Sequence, residues 1–371
     1  MIWLLAVPAS CAAAYYLIAL VAGLFRLRES VVPRVFTTGS AVSILKPVRG
    51  RDPRFYEAIR SHAVQSYPEF EILFGIADLA DPAAEDIERL QREYPDVPIR
   101  LIHSRTQAPN GKVGVLADLA AEARYPLLLV NDSDIVVEPN YLECVTAPLA
   151  DSKIGLVTCL YRAGAGTWPA RFEGLGISTE FAPSVLVAPL VGVSGFALGS
   201  TMVLRANDLA RAGGFLKLAD YLADDYHLGR LITELGLRVH LSHKVVETNL
   251  SGDSWGEVWR HQLRWSRTIR MSRTAGYYGY LTTQATFWAL VALAAGYVWP
   301  AVLAFGLRMT TGIVVGRFVL GDRKALAYAP LIPLRDLWGM AIWVCGLTGD
   351  SVEWRGLKIQ LTPDGRIRRR S

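Results

Sequence analysis

Residues 126–134 read Pro126-Leu127-Leu128-Leu129-Val130-Asn131-Asp132-Ser133-Asp134. A short apolar run between a proline and a polar turn predicts a strand buried on both faces. Upstream the pattern repeats. Ala41–Pro47 is an apolar run stopped by proline, 52–65 is amphipathic, Phe70–Ala77 reads as a strand, and 81–93 as a charged helix. Ile99–His103 follows as a strand and Lys112–Ala123 as a helix. Strands alternating with helices of this length indicate βαβ units and a mostly parallel sheet. Ligands of such sheets bind beyond the carboxyl ends of the strands.

That rule directs attention to the acids. Asp78 follows one strand, and Asp132 and Asp134 follow another. Two carboxylates at i and i+2 on an extended turn can address one hard cation such as Mg²⁺ or Mn²⁺, although Asp also forms turns and helix caps at such positions. In Tyr221-Leu222-Ala223-Asp224-Asp225-Tyr226 two acids stand in an apolar and aromatic run. A carboxyl group there is a candidate base with a raised pKa, and a helix N-cap is the alternative. Asn110-Gly111-Lys112 opens a helix where backbone N–H groups and an ammonium suit a phosphate. The stretch 254–272 sets Trp and aliphatic residues against several arginines, as an interfacial helix or a solvated face does.

Composition brackets this block with membrane. Of the 371 residues 51% are hydrophobic and 20% charged, and residues 1–25 and 274–307 carry no charge. The 248 residues from Arg26 to Arg273 hold 57 charges, 23%, as an ordinary globular domain does. Residues 1–25 are long enough to cross a bilayer and lack the basic n-region of a signal peptide, so an N-terminal anchor is expected. Arg26, Arg28 and Arg34 then put the middle block in the cytoplasm. The expected domains are the anchor 1–25, a cytoplasmic domain 26–280, a transmembrane region 281–349 interrupted at Trp299-Pro300, and a basic tail 350–371. Four scattered cysteines exclude a disulfide scaffold, and a net charge of +5 does not argue for nucleic acid.

Asp78, the run Asn131–Asp134, Asp225 in Leu-Ala-Asp-Asp-Tyr, and Arg264-Trp265 stand in the order of the D, D, D, (Q/R)-x-x-R-W pattern. The chain thereby resembles ceramide glucosyltransferase-like enzymes. Ser43-Ile44-Leu45-Lys46-Pro47 and His261-Gln262-Leu263-Arg264-Trp265 look closest to the bacterial branch that adds N-acetylglucosamine to bacteriohopanetetrol. The resemblance implies an inverting α/β enzyme of GT-A, Rossmann-like fold, with one N-terminal and two or more C-terminal transmembrane helices. It implies transfer of glucose or N-acetylglucosamine from a UDP-sugar to a hydroxyl of ceramide or a bacteriohopanetetrol-type hopanoid, in the bacterial inner membrane. Asp225 would be the base, with Arg264 and Trp265 shaping the catalytic floor. Asp132 and Asp134 would hold Mn²⁺ or Mg²⁺, and Lys46, Asp78, Lys112, Asp132 and His261 would bind the donor. His261 departs from the pattern's Gln or Arg.

The apolar, glycine-containing region Phe172–Leu204 is a candidate for receiving the lipid, with ordinary core packing as the alternative. A processive polysaccharide synthase shares the Asp and Arg-Trp elements, but about three to five crossings are few for a polymer channel. A membrane scaffold would bind no UDP, and a transporter would show repeats.

Overall fold

A computed structural model describes residues 5–30, 39–164, 166–250, 252–354 and 357–368. Residues 1–4 of the expected anchor, Arg34, and Arg369 and Arg370 of the tail lie outside the described residues. The chain divides into two compact units, one formed by 34–164 with 194–251, the other by 1–33, 165–193 and 252–368.

The first unit is an eight-stranded sheet. Its strands are β1 (Val42–Pro47), β2 (Phe70–Ile76), β3 (Ile99–His103), β4 (Leu127–Val130), β5 (Ile135–Val136), β6 (Ile154–Gly164), β7 (Met202–Arg205) and β8 (Arg238–Asn249), in the order β3-β2-β1-β4-β7-β6-β8-β5. From β3 to β4 every pairing is parallel. This is the half that the alternating runs predict. β7 pairs antiparallel with both β4 and β6, and β5 antiparallel with β8, while β6 and β8 are parallel.

The strands of the parallel half lack polar alternation because both faces are covered. Val42, Ile44, Ile72, Phe74 and Leu129 pack with Ile59 and Ile87 of the helices Phe55–Ala63 and Ala83–Glu93. Leu45, Leu73, Leu128 and Val130 pack on the other face with Leu116 and Leu119 of Gly111–Glu122 and with Leu228 and Ile232 of Asp224–Glu234. Close approach on that face requires Gly75, where a Cβ would fall 2.4 Å from the Val115 side chain.

The second unit is helical. Ala6–Glu29, Trp168–Val191 and Val298–Val319 are long and apolar enough to cross a membrane, and Ala285–Ala294 is a shorter apolar helix. Ala9, Ala12, Ala13, Ala289, Ala292, Ala301 and Ala304 are buried together, small residues that let helix backbones approach closely. The region 172–204 does not behave as one piece. Its first part lies in the helix Trp168–Val191, and residues from Ser194 onward belong to the sheet unit.

Three consecutive polar residues of that helix take partners from the C-terminal segments. Ser178 Oγ donates to Asp322 Oδ2 at 2.7 Å, the Thr179 carbonyl accepts from Arg308 Nη1 at 2.8 Å, and Glu180 lies 3.5 Å from Arg335 Nη1. A Cβ on Gly176 would fall 2.3 Å from the Arg335 guanidinium, so glycine here lets that arginine lie against the helix backbone without shifting. Arg308 is fully buried and forms a forked pair with Asp336, at 2.6 and 3.1 Å, over the ring of Tyr16. Charges within apolar helices persist by pairing with one another. Asp336→Leu strands the buried guanidinium and is expected to destabilise the protein by about 3–5 kcal/mol. The double variant Arg308→Met/Asp336→Leu should recover most of that loss. Thermal unfolding in detergent checks this, and a single variant as stable as the parent contradicts it.

Candidate active site

β4 ends at Val130 and the chain turns at once into Asn131–Asp134. Beneath this turn stands Lys46 of β1, fully buried. Its Nζ donates to Asn131 Oδ1 at 2.7 Å and to the Asp132 carbonyl at 3.3 Å, and lies 3.3 Å from His62 Nε2. His62 Nδ1 faces the Ala58 carbonyl at 2.9 Å and therefore carries the ring proton, which leaves Nε2 to accept from Asn131 Nδ2 at 2.8 Å. Burial lowers the Lys46 ammonium to about 7, against the opposing pull of Asp134 and Asp132. Burial, reinforced by Lys46, holds His62 well below the usual imidazole range and so keeps it neutral.

The turn is fixed from its other sides as well. Ser133 Oγ donates to Asp52 Oδ2 at 2.8 Å, and the Thr248 hydroxyl donates to Asp134 Oδ2. The Asp134 carbonyl accepts from the Asn249 N–H and from Asn249 Nδ2, each at 3.2 Å. The carboxyl of Asp134 is pushed up to about 6, by burial first and then by Asp132, against the Thr248 bond.

Asp132 points toward Gly199, the residue at which several acids converge. A Cβ at Gly199 would lie 3.1 Å from Asp132 Oδ2 and 3.4 Å from Asp225 Oδ2. The Gly199 N–H donates to Asp225 Oδ2 at 2.9 Å, and the Tyr226 N–H donates to Asp225 Oδ1 at 2.7 Å. Asp225 stands in the first turn of Asp224–Glu234, where the helix N-terminus favours negative charge. Its carboxyl is nevertheless raised to about 6, by burial and then by Asp224, with Lys112 pulling it down. Lys112 follows the helix cap Asn110, whose Oδ1 accepts from the Lys112 N–H at 3.1 Å. Its ammonium lies 2.9 Å from Asp132 Oδ1 and 3.2 Å from Asp224 Oδ2. Asn110 Nδ2 donates to the Tyr221 carbonyl at 2.8 Å and ties the two loops together.

The structure thus brings Asp132, Asp225 and Lys112 together, while Lys46 meets the same turn from below. Asp78 is exposed past β2, with its Oδ1 accepting from the Ala80 N–H at 2.9 Å. No ion pair or hydrogen bond among the described residues links it to Asp132. His261, Arg264 and Trp265 belong to the helical unit, on the helix Trp255–Ser272. There His261 Nδ1 lies 2.7 Å from Oε1 of the buried Glu173, and the Trp265 ring lies 4.5 Å from the imidazole. Gln262 is buried and accepts from Trp338 Nε1 at 3.0 Å.

Sequence reading gave no role to His62, Asp52, Thr248, Asn249 or Glu173, and placed Gly199 only within the candidate lipid-receiving region. Each acts through a partner distant in the chain, and no local spacing signals it. Among the described residues no three His, Cys, Asp or Glu side chains form a ready cage. Hard carboxylate oxygens at Asp132 and Asp134 fit an ion held by few protein ligands and completed by substrate phosphates.

A parallel β3-β2-β1-β4 half extended through antiparallel β7, with acids at its carboxyl edge, defines a glycosyltransferase of GT-A fold. The structure matches a mannosyltransferase from Pyrobaculum calidifontis in complex with GDP-Man and Mn²⁺ over 94% of this chain and 98% of that one, with a TM-score of 0.53 and 17% identity. The chain is 25% identical over 369 residues to ceramide glucosyltransferase 1 of Caenorhabditis elegans, covering 95% of this chain and 78% of the relative. It is 29% identical over 261 residues to ceramide glucosyltransferase 3 of the same species, covering 69% and 56%. Glycosyl transferase family 21 matches residues 1–367, and the chain belongs to that family as a hexosyltransferase.

Asn131→Ala removes the acceptor of a buried ammonium and the donor to His62 at once. A loss of about 2–3 kcal/mol in denaturant unfolding is expected. A loss below about 0.5 kcal/mol, the range of surface substitutions, contradicts the bracing role of this network.

Proposed function

We propose that the protein transfers a sugar, glucose or N-acetylglucosamine, from a UDP-sugar to a hydroxyl of a membrane lipid of the ceramide or bacteriohopanetetrol type, with inversion. The observation that carries this reading is the convergence of Asp132 and Asp225 on Gly199 in a family 21 chain. Asp225 takes the proton of the acceptor hydroxyl, whose oxygen bonds to the anomeric carbon as the bond to the UDP oxygen breaks. Its two backbone hydrogen bonds aim the carboxylate, and its raised pKa makes it a stronger base than an exposed Asp. Mn²⁺ or Mg²⁺ held by Asp132 and Asp134 would neutralise charge on the departing diphosphate. Lys112 adds positive charge beside it, and Lys46 holds the Asp132 turn in place from beneath. Asp78 contacts the uridine, while His261, Arg264 and Trp265 serve donor phosphate and acceptor. These four assignments rest on the sequence pattern.

The reading sets residues 1–25 and 281–349 in a bacterial inner membrane, supported by the uncharged ends, and the sheet unit on its cytoplasmic side, supported by Arg26 and Arg28. The expected cytoplasmic range 26–280 is narrowed, because Trp168–Val191 is itself apolar enough to span and pairs with the C-terminal segments. Residues 254–272 lie along the leaflet that holds the lipid acceptor, and the basic 350–371 tail stays cytoplasmic.

Labelled UDP-sugars, lipid extracts and purified protein test the activity directly. Asp225→Asn is expected to lower kcat by about 10²–10⁴-fold while UDP still binds. Unchanged product formation by that variant removes Asp225 as the base. Because the base must be unprotonated, turnover should fall as pH drops through about 6. A pH profile flat from 5 to 7 contradicts the assignment.

A further inference from the structure

Lys112 makes more of the acidic site than a phosphate contact requires. Its side chain is only 15% exposed, whereas Asp132 is 46% exposed, so the ammonium approaches Asp132 from the protein side. One end of the bridge is Asp132 Oδ1 at 2.9 Å, and the other is Asp224 Oδ2 at 3.2 Å. That Asp224 oxygen is buried and makes no hydrogen bond, so the ion pair with Lys112 is what compensates it. Burial alone would lower the lysine pKa. Asp132 and Asp224, with Asp225 behind them, outweigh burial and hold it above the ordinary lysine value. Held between two carboxylates, the ammonium is a positive charge fixed at the site.

A divalent cation on Asp132 meets that fixed positive charge at the same carboxylate. Two cations within about 4 Å repel strongly in a partly buried site. A nucleoside diphosphate relieves the conflict, since its oxygens offer both cations additional negative charge. Taking Asp132 as the metal ligand and a UDP-sugar as the donor, the reading on which this inference rests, we propose that Lys112 is a built-in competitor of the metal. It keeps metal affinity low until the donor diphosphate arrives, and so makes metal and donor bind together. Specificity follows from the same device. A nucleoside monophosphate, with fewer oxygens to share, releases the competition less completely than a diphosphate.

The test uses the purified full chain in detergent, with Mn²⁺ binding followed by electron paramagnetic resonance of the free ion, alone and with UDP. Lys112→Met is expected to bind Mn²⁺ alone about tenfold more tightly than the parent and to lose most of the further tightening by UDP. Lys112→Arg, which keeps the charge, should retain the parent's weak Mn²⁺ affinity and its strong dependence on UDP. Lys112→Gln carries the same expectation as the methionine variant and stands in for it if that variant does not fold. Mn²⁺ affinity equal to or weaker than the parent's in the uncharged variant overturns the competition. If Asp132→Asn leaves Mn²⁺ binding intact, the metal assignment itself fails and the competition with it. Loss of binding in Asp132→Asn beside an unaffected Lys112→Met overturns the competition alone.

Discussion

Everything at the sheet's carboxyl edge depends on how one small region tolerates Asp132, Asp134, Asp224 and Asp225 together. Two lysines solve that problem from opposite sides. Lys46 is buried under the turn and holds the Asp132 carbonyl and Asn131 in place, and Lys112 bridges Asp132 to Asp224 from the flank. Isolated buried carboxylates would take up protons, as the raised values at Asp134 and Asp225 already show in part. The balance leaves the Asp225 carboxyl raised to about 6 and the Asp132–Asp134 turn held in place.

Rigidity here comes from secondary contacts. Ser133, Asp134 and Asn131 are each tied to a different segment, through Asp52 of the loop after β1, Thr248 with Asn249 of β8, and His62 of the helix Phe55–Ala63. A turn held on three sides need not reorganise when charge arrives, which is how electrostatic stabilisation of a leaving group becomes effective. Gly199 completes the arrangement by giving its N–H to Asp225 and by carrying no Cβ that would crowd the Asp132 and Asp225 carboxylates.

The helical unit follows the same rule in an apolar setting. Arg308 with Asp336, Arg335 with Glu180, and Ser178 with Asp322 join segments that composition alone separates into distinct apolar stretches. Unpaired, Arg308, Arg335 and Asp336 would be costly interruptions of apolar segments. Paired across helices, they become links between those segments.

From the sequence alone, the apolar runs fixed β1 to β4 and the helices between them, because a strand covered on both faces leaves an unbroken hydrophobic record. The acids and Arg264-Trp265, spread from position 78 to 265, carried the family resemblance through their order along the chain. The antiparallel half through β5 to β8, the buried role of Lys46, the proton pattern of His62 and the meeting of Lys112 with Asp224 were decided by tertiary structure. Apart from the His62–Ala58 bond within one helical turn, the partners in these contacts are separated by 16 to 115 residues. Pairings across such distances depend on which faces the sheet brings together, and no local periodicity encodes that.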